Sequence, residues 1–263
     1  MADWNPALYS RYEDERTRPA RELVARVPLA TAREVVDLGC GPGNSTELLV
    51  ARYPDAHVVG IDNSESMLES ARKRLPPDRF AGVGFLLADI ASWQPAVPPD
   101  LIYANAALQW VTGHESLFPH LFSLLAPGGV LAVQMPDNLD EPTHRLMREV
   151  AAEDPWREPI GDASRLRAPR LPLASYYDML AADAASVDAW HTIYQHRMAS
   201  AAAIVEWVRA TGLKPFVDPL TPELQAGYLA EYERRVDAAY AVRADGRRLL
   251  SFPRLFLVAQ RNP

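Results

Sequence analysis

Short apolar runs alternate with amphipathic stretches over the first half of the chain. The apolar runs predict five β-strands, at residues 34–39, 57–62, 83–88, 101–104 and 130–135. The stretches between them repeat their apolar positions with helical spacing and predict helices at residues 44–52, 64–75 and 117–125. Strands that alternate with helices indicate a parallel sheet with helices on both faces, which also explains why the strands are almost wholly apolar.

The pattern changes after residue 136. Helical spacing predicts helices at residues 140–153, 175–183, 201–211 and 222–242, and a Pro- and Arg-rich stretch at 154–173 is typical of a loop. Residues 187–197 and 254–259 predict two more strands. The predicted fold class is therefore α/β and Rossmann-like, with a mostly parallel seven-stranded sheet and a helical cap insertion. Its expected parts are an N-terminal helical segment at 1–30, a core at 31–136, 174–198 and 246–263, and a cap at 137–173 and 199–245.

Composition narrows the range of partners. The 263 residues include 34 acidic and 27 basic side chains, giving a net charge of −7, and this disfavours nucleic acid and anionic membranes as partners. The single cysteine, Cys40, excludes an internal disulfide. We find no signal peptide and no apolar run of the roughly 18 residues that span a membrane, so a cytoplasmic location is expected.

A glycine-rich turn follows the first predicted strand, in the segment Val-Val-Asp-Leu-Gly-Cys-Gly-Pro-Gly-Asn at 35–44. Ligands of open α/β sheets bind beyond the carboxyl ends of the strands, so this turn is a candidate cofactor site. A dinucleotide fingerprint places its third glycine three residues after the second, where this chain has Asn44. The spacing Gly39, Gly41 and Gly43 therefore favours a nucleoside cofactor that lacks a diphosphate.

Acidic residues follow the second and third predicted strands. Asp62 lies about twenty residues beyond the glycines, where a carboxylate can accept hydrogen bonds from both ribose hydroxyls. Dinucleotide enzymes share this feature, and Asp62 has a second interpretation as the cap of the following helix. Asp89 is either a further cofactor contact or a solvated aspartate at a strand end.

The segment Asp-Leu-Gly-Cys-Gly-Pro-Gly at 37–43 resembles motif I of class I S-adenosylmethionine-dependent methyltransferases. The resemblance implies that Asp89 accepts from the adenine amino group while the Ile90 N–H faces a ring nitrogen. It places Met67 against adenine, although a core methionine is the alternative. Trp110 would wall the methyl-transfer site or anchor its loop. The cofactor-binding residues expected on this basis are Gly39, Gly41, Gly43, Asp62, Asn63, Met67, Asp89, Ile90, Asn105 and Ala106.

The likeness to one family within this class covers nearly the whole chain. Six segments resemble trans-aconitate methyltransferases, namely Trp4 to Ala20, Asn105 to Trp110, Gln134 to Asn138, Glu141 to Arg148, Thr211 to Phe216 and Phe252 to Ala259. Lys214 departs from the pattern, because the family more often carries arginine there, and lysine offers a point charge rather than a two-pronged donor.

The resemblance implies an O-methyltransferase that forms a monomethyl ester on a small tricarboxylic acid, with trans-aconitate as the expected substrate. A carboxylate is ionised at neutral pH, so neither a general base nor a metal is expected. An acidic protein that binds a tricarboxylate must place positively charged side chains close together at the binding site. The expected substrate-binding residues are Tyr9, Tyr12, Gln109, Trp110, His144, Arg145, Arg148, Arg170 and Lys214. Arg18 is a further substrate candidate, and it is expected instead to hold the carboxylate of the cofactor. For any one of the basic candidates, a solvated surface residue or a surface ion pair is the alternative interpretation.

Three other functions are compatible with the sequence. A different small-molecule methyltransferase of the same fold would act on another carboxylate, a hydroxyl or a carbon. A protein that binds S-adenosylmethionine without turnover would not need the predicted cap. A nicotinamide dehydrogenase is disfavoured by the glycine spacing.

Overall fold

The computed structural model describes residues 13–166, 170–209 and 211–263. Tyr9 and Tyr12, which were expected to bind substrate, lie outside this range. Seven strands form one sheet in the order β3-β2-β1-β4-β5-β7-β6, which confirms the predicted fold class. The strands are β1 (Glu34–Leu38), β2 (His57–Asp62), β3 (Val83–Leu87), β4 (Leu101–Asn105), β5 (Val130–Pro136), β6 (Ala184–Met198) and β7 (Arg248–Arg261).

Five neighbouring strands run parallel. Val36 of β1 lies beside Val59 of β2 and Ile102 of β4, and the β2–β3 and β4–β5 pairs are parallel as well. Their carboxyl ends therefore meet along one edge of the sheet. The loops that leave β1, β2, β3 and β4 carry most of the residues expected to bind the cofactor.

Helices connect and cover the strands. Their ends follow local chemistry: the Ser64 hydroxyl accepts from the Met67 N–H, and the Thr221 hydroxyl accepts from the Leu224 N–H with Pro222 in the first turn. The α-helices are α1 (Glu13–Arg26), α2 (Asn44–Arg52), α3 (Glu65–Arg74), α4 (His114–Ser123), α5 (Pro142–Ala151), α6 (Arg157–Ile160), α7 (Leu173–Leu180), α8 (Ala201–Arg209), α9 (Lys214–Val217) and α10 (Pro222–Ala239).

Several predicted bounds differ from the structure. The strands expected at 187–197 and 254–259 are longer in the structure, since β6 and β7 have 15 and 14 residues. The helix expected at 117–125 begins three residues earlier, at His114. The predicted loop at 154–173 contains the short helix α6 and a 3₁₀ turn at Ala163–Arg165. Amphipathic periodicity is weakest at element ends, and this explains most of these shifts.

The chain divides into two compact units. The first contains the described parts of residues 1–136, together with 170–192 and 255–263, and its core is built from β-strand side chains such as Ile102 and Leu131 and helix side chains such as Phe118. The second contains the described parts of residues 137–169 and 193–254. The expected roles of core and cap remain predictions.

Three tyrosines join two helices within the second unit. The hydroxyls of Tyr228 and Tyr232 on α10 donate to the carbonyls of Met147 and Thr143 on α5, at 2.8 and 3.0 Å. The Thr143 N–H donates to the Tyr240 hydroxyl at 3.3 Å. Buried hydroxyls need partners, so these bonds set the position of α10 on α5. Over the described part of the chain, no helix combines the length and apolar character needed to cross a membrane.

Candidate functional site

The glycine turn after β1 has a backbone that only glycine adopts readily. Gly39, Gly41 and Gly43 have φ angles of +68°, +54° and +89°. The N–H groups of Gly39 and Cys40 both donate to the carbonyl of Ile61, at 2.7 and 2.9 Å, which fixes the turn to the end of β2. The predicted glycine loop is therefore a rigid bend at the carboxyl edge of the sheet.

Two of these glycines differ in what surrounds them. A Cβ at Gly39 would lie 2.3 Å from the Cβ of Ala107 and 3.6 Å from Cδ1 of Ile90, so the turns after β1, β3 and β4 converge there. A Cβ at Gly41 would meet nothing within 4 Å among the described residues. Gly39 therefore serves the packing of the turns, while Gly41 faces open space where a ligand can approach the backbone.

Asp62 is held at the tip of β2. Its Oδ2 accepts from the Gly41 N–H and its Oδ1 from the Ser64 N–H, both at 2.9 Å. Burial raises the pKa of Asp62, and the N–H groups of Gly41, Ser64 and Asn63 partly offset that rise. Each carboxylate oxygen can accept more than one hydrogen bond. The orientation therefore suits a carboxylate that also accepts from two ribose hydroxyls.

Asp37 is a second carboxylate beside the turn, and it was not among the predicted site residues. It is fully buried, and its Oδ2 accepts from the hydroxyls of Ser45 and Thr46 at 2.8 and 2.7 Å. Burial raises the pKa of Asp37 to about 6, the two hydroxyls lower it, and the nearby Asp62 raises it further. A turn flanked by two carboxylates suits a cationic ligand better than a diphosphate.

The remaining residues expected to bind adenine or ribose occupy different environments. Asp89 is exposed, and its Oδ1 accepts from the Ala91 N–H at 2.9 Å. Ile90 is half-buried and near Gly39, whereas Asn63 is exposed. Met67 is buried on α3. Their predicted contacts with adenine and ribose remain predictions.

The turn after β4 carries the expected methionine-side residues. Ala106 has a φ of +53°, which is uncommon for a residue other than glycine. Its N–H donates to the Gln134 carbonyl at 2.9 Å, and its own carbonyl accepts from Nε2 of Gln109 at 2.6 Å. Oδ1 of Asn105 is buried and has no hydrogen-bond partner within the described ranges. A strained backbone next to such an acceptor is typical of a ligand site.

The expected substrate residues are divided between the two units. The first unit holds Gln109, which is buried, Trp110, which is 43% exposed, and Arg170, which is half-buried. Burial lowers the pKa of His114, and the positive charge of Arg170 lowers it further. Arg18, also in the first unit, is exposed and forms an ion pair with Glu22.

The remaining candidates lie in the second unit. His144 is buried, with its Nδ1 3.2 Å from the Thr143 hydroxyl. Arg145 is exposed and pairs with Glu149 at 2.7 Å, and Lys214 pairs with Asp218 at 3.5 Å. Arg148 donates to the Leu139 carbonyl at 2.9 Å. These contacts show what each side chain binds inside its own unit, and their roles toward substrate remain predictions.

The turns after β1, β2, β3 and β4 together form what we call the cofactor crevice. The fold and this crevice define a class I S-adenosylmethionine-dependent methyltransferase. A family model described as a methyltransferase domain matches residues 30–194. Two solved structures are similar in fold: the YcgJ protein of Bacillus subtilis, and Haemonchus contortus phosphoethanolamine N-methyltransferase 2 in complex with S-adenosyl-L-methionine. The first is 13% identical with a TM-score of 0.59 and is matched over 94% of this chain and 99% of its own. The second is 15% identical with a TM-score of 0.55 over 94% and 53%.

Curated relatives extend over the full chain. Proteins named trans-aconitate 2-methyltransferase are 72% identical in Variovorax paradoxus and 67% in Paracidovorax citrulli, over the whole of both chains. The protein of that name in Yersinia pestis is 56% identical over 98% of each chain. The chain belongs to the trans-aconitate 2-methyltransferase family, and its cofactor is S-adenosylmethionine.

Proposed function

We propose that the chain transfers the methyl group of S-adenosylmethionine to one carboxylate of trans-aconitate, which yields a monomethyl ester. The observation that carries this proposal is the 72% full-length identity to a relative of that name. The crevice supports it independently, because two carboxylates, Asp37 and Asp62, flank an open glycine turn and favour a cationic sulfonium nucleoside.

The cofactor would be held by turns that the sheet brings to one edge. Asp62 would accept from the ribose hydroxyls, and Asp89 with the Ile90 N–H would bind adenine, with Met67 and Asn63 nearby. The buried Oδ1 of Asn105, next to Ala106, suits the ammonium group of the methionine part. Arg18 remains the proposed partner of the cofactor carboxylate.

The chemistry requires little of the protein beyond alignment. S-adenosylmethionine supplies a methyl group on a positively charged sulfur, which leaves as S-adenosylhomocysteine. A substrate carboxylate is already ionised near pH 7. The histidine beside the methyl-transfer turn, His114, has both ring nitrogens in hydrogen bonds. The protein therefore acts by positioning the carboxylate and by excluding water.

Arg170 is the strongest candidate for a substrate carboxylate, because it is half-buried in the same unit as Gln109 and Trp110. We expect Arg170→Gln to raise the KM for trans-aconitate by about tenfold, since one charge-assisted hydrogen bond is lost. Arg165→Gln serves as the matched control, because that arginine is 85% exposed and pairs with Asp162. Equal KM values for the two variants would remove Arg170 from the substrate site. His144, Arg145, Arg148 and Lys214 complete the proposed set, together with Tyr9 and Tyr12.

Product identification tests the function itself. The protein is incubated with methyl-labelled S-adenosylmethionine and a panel of di- and tricarboxylic acids, and the products are identified by mass spectrometry and NMR. We expect a monomethyl ester of trans-aconitate to form with the highest kcat/KM. A higher kcat/KM for another acceptor would identify a different methyltransferase, and S-adenosylhomocysteine binding without turnover would identify a binding protein.

The pH profile of the chemical step separates a carboxylate acceptor from one that needs a base. If the nucleophile is a ready-made carboxylate, single-turnover rates should not rise with a basic pKa between pH 6 and 8. A histidine-like limb in that range would contradict the proposal. A cytoplasmic location, and the absence of nucleic-acid and membrane partners, remain part of the proposed function.

A further inference from the structure

His114 makes two hydrogen bonds that neither packing nor the glycine motif explains. One ring nitrogen, Nε2, lies 2.9 Å from the carbonyl of Leu108, and the other, Nδ1, lies 2.7 Å from the hydroxyl of Tyr176. A carbonyl only accepts, so Nε2 carries the hydrogen and donates to Leu108. Nδ1 of the neutral ring then accepts from the Tyr176 hydroxyl, which defines the tautomer.

The ring is buried and fixed in place. His114 is 6% exposed and Tyr176 is fully buried. Phe118 packs against both, with ring centroids 5.2 and 4.7 Å away. Burial lowers the pKa of His114, and the charge of Arg170 lowers it further, so the ring is neutral near pH 7. An apolar side chain would fill the same space without the desolvation cost of two ring nitrogens.

These two bonds and a third, from the Leu171 N–H to Tyr176, connect the turn Leu108–Trp110 to the segment that carries Arg170. Leu108 begins the 3₁₀ turn Leu108–Trp110, which presents Gln109 and Trp110. At the other end of the chain of bonds, the Leu171 N–H donates to the Tyr176 hydroxyl oxygen at 3.3 Å. His114 therefore lies between the side chains proposed to wall the site and the arginine proposed to bind the substrate.

We propose that His114 is a positioning residue for methyl transfer, which holds the Leu108–Trp110 turn in its reactive geometry and, through Tyr176, sets the place of Arg170. This inference rests on the proposed function of the site. Both ring nitrogens of His114 bind protein groups, so this residue acts through the carbonyl of Leu108. Its removal should therefore lower kcat more than it weakens cofactor binding.

Two amide variants separate the bonds of His114 from its bulk. In His114→Gln the amide nitrogen takes the place of Nε2 and can still donate to Leu108, whereas in His114→Asn the shorter amide matches Nδ1 and reaches only Tyr176. We expect His114→Asn to lower kcat about tenfold, the equivalent of one hydrogen bond, while the Kd for S-adenosylhomocysteine changes less than about threefold. His114→Gln should keep most of the wild-type kcat, and the two variants should unfold at similar temperatures.

A spectroscopic measurement keeps this test independent of the substrate. The protein is labelled with 5-fluorotryptophan, and the Trp110 signal is assigned by Trp110→Phe. We expect the Trp110 ¹⁹F signal to shift or broaden in folded His114→Asn and to stay near the wild-type position in His114→Gln. An unchanged signal and kcat in His114→Asn, or equal damage in both variants, would overturn the positioning role. A wild-type protein that makes no trans-aconitate ester would refute the proposed function and leave the ¹⁹F comparison valid.

Discussion

The sequence predicts the cofactor crevice of the first unit more directly than it predicts the roles of the basic residues in the second unit. In the crevice, backbone N–H groups fix Asp62 in place, and three positive-φ glycines fix the turn beside it. In the second unit, Arg145 and Lys214 form ion pairs with acidic residues one helical turn away. A site built from backbone geometry leaves a spacing in the sequence, whereas a charged side chain on a helix has the same pattern whether it binds substrate or its neighbour.

Gly39→Ala should have the largest effect, and it tests whether the crevice is rigid. The added methyl meets Ala107 and the residue must keep a φ of +68°, so we expect the free energy of unfolding to fall by about 3 kcal/mol or more. Gly41→Ala is the matched control, because its methyl faces open space. Its φ of +54° carries a similar backbone strain, so it should lose less stability than Gly39→Ala, remain folded and lose cofactor affinity. Equal stability of the two variants in urea denaturation would show that the turns do not converge as described.

Asp62→Ala tests whether the crevice binds the cofactor where we propose. The Kd for S-adenosylhomocysteine, measured by calorimetry, should rise more than about tenfold, because hydrogen bonds to a charged acceptor are lost. Asp100→Ala is the control, since Asp100 also accepts from two backbone N–H groups, those of Arg33 and Glu34, but at the amino end of β4. An unchanged affinity in Asp62→Ala would remove this residue from the site.

Asp37 makes the free energy of unfolding of the protein depend on pH. Burial raises its pKa from 3.8 to about 6, so its stabilising contribution is complete below pH 3.8 and is lost as the pH rises through 6. Relative to Asp37→Asn, the wild-type protein should lose about 3 kcal/mol of unfolding free energy between pH 4 and 7. Denaturation series at several pH values check this. A constant difference between the two proteins would contradict it.

Tyr232→Phe should have the smallest effect, and it tests the second unit alone. The variant loses the bond from its hydroxyl to the Thr143 carbonyl, and we expect a loss of about 1 kcal/mol in stability with unchanged affinity for S-adenosylhomocysteine. Tyr228→Phe, which loses the bond to Met147, should behave alike. A large fall in cofactor affinity would show that the helices α5 and α10 do more than support one another.

The sequence predicts the sheet and the cofactor turns well, because both rest on short-range patterns. Apolar runs predict the strands, and parallel strands bring Gly39, Asp62 and Asp89 to one edge. Asp37 lies within the glycine-rich motif at 37–43, but its burial and its bonds to Ser45 and Thr46 depend on how α2 packs on β1. No local spacing reveals the His114–Tyr176 pair, since its partners are 62 residues apart.

A crystal structure of the protein with S-adenosylhomocysteine would test most directly whether the turn after β1 and Asp62 bind the cofactor. We predict that the compound lies against the turn at 39–43, with its ribose hydroxyls on the carboxylate of Asp62 and its adenine beside Asp89. A bound molecule elsewhere on the protein, with the side chain of Asp62 still directed only at its own backbone, would contradict the account.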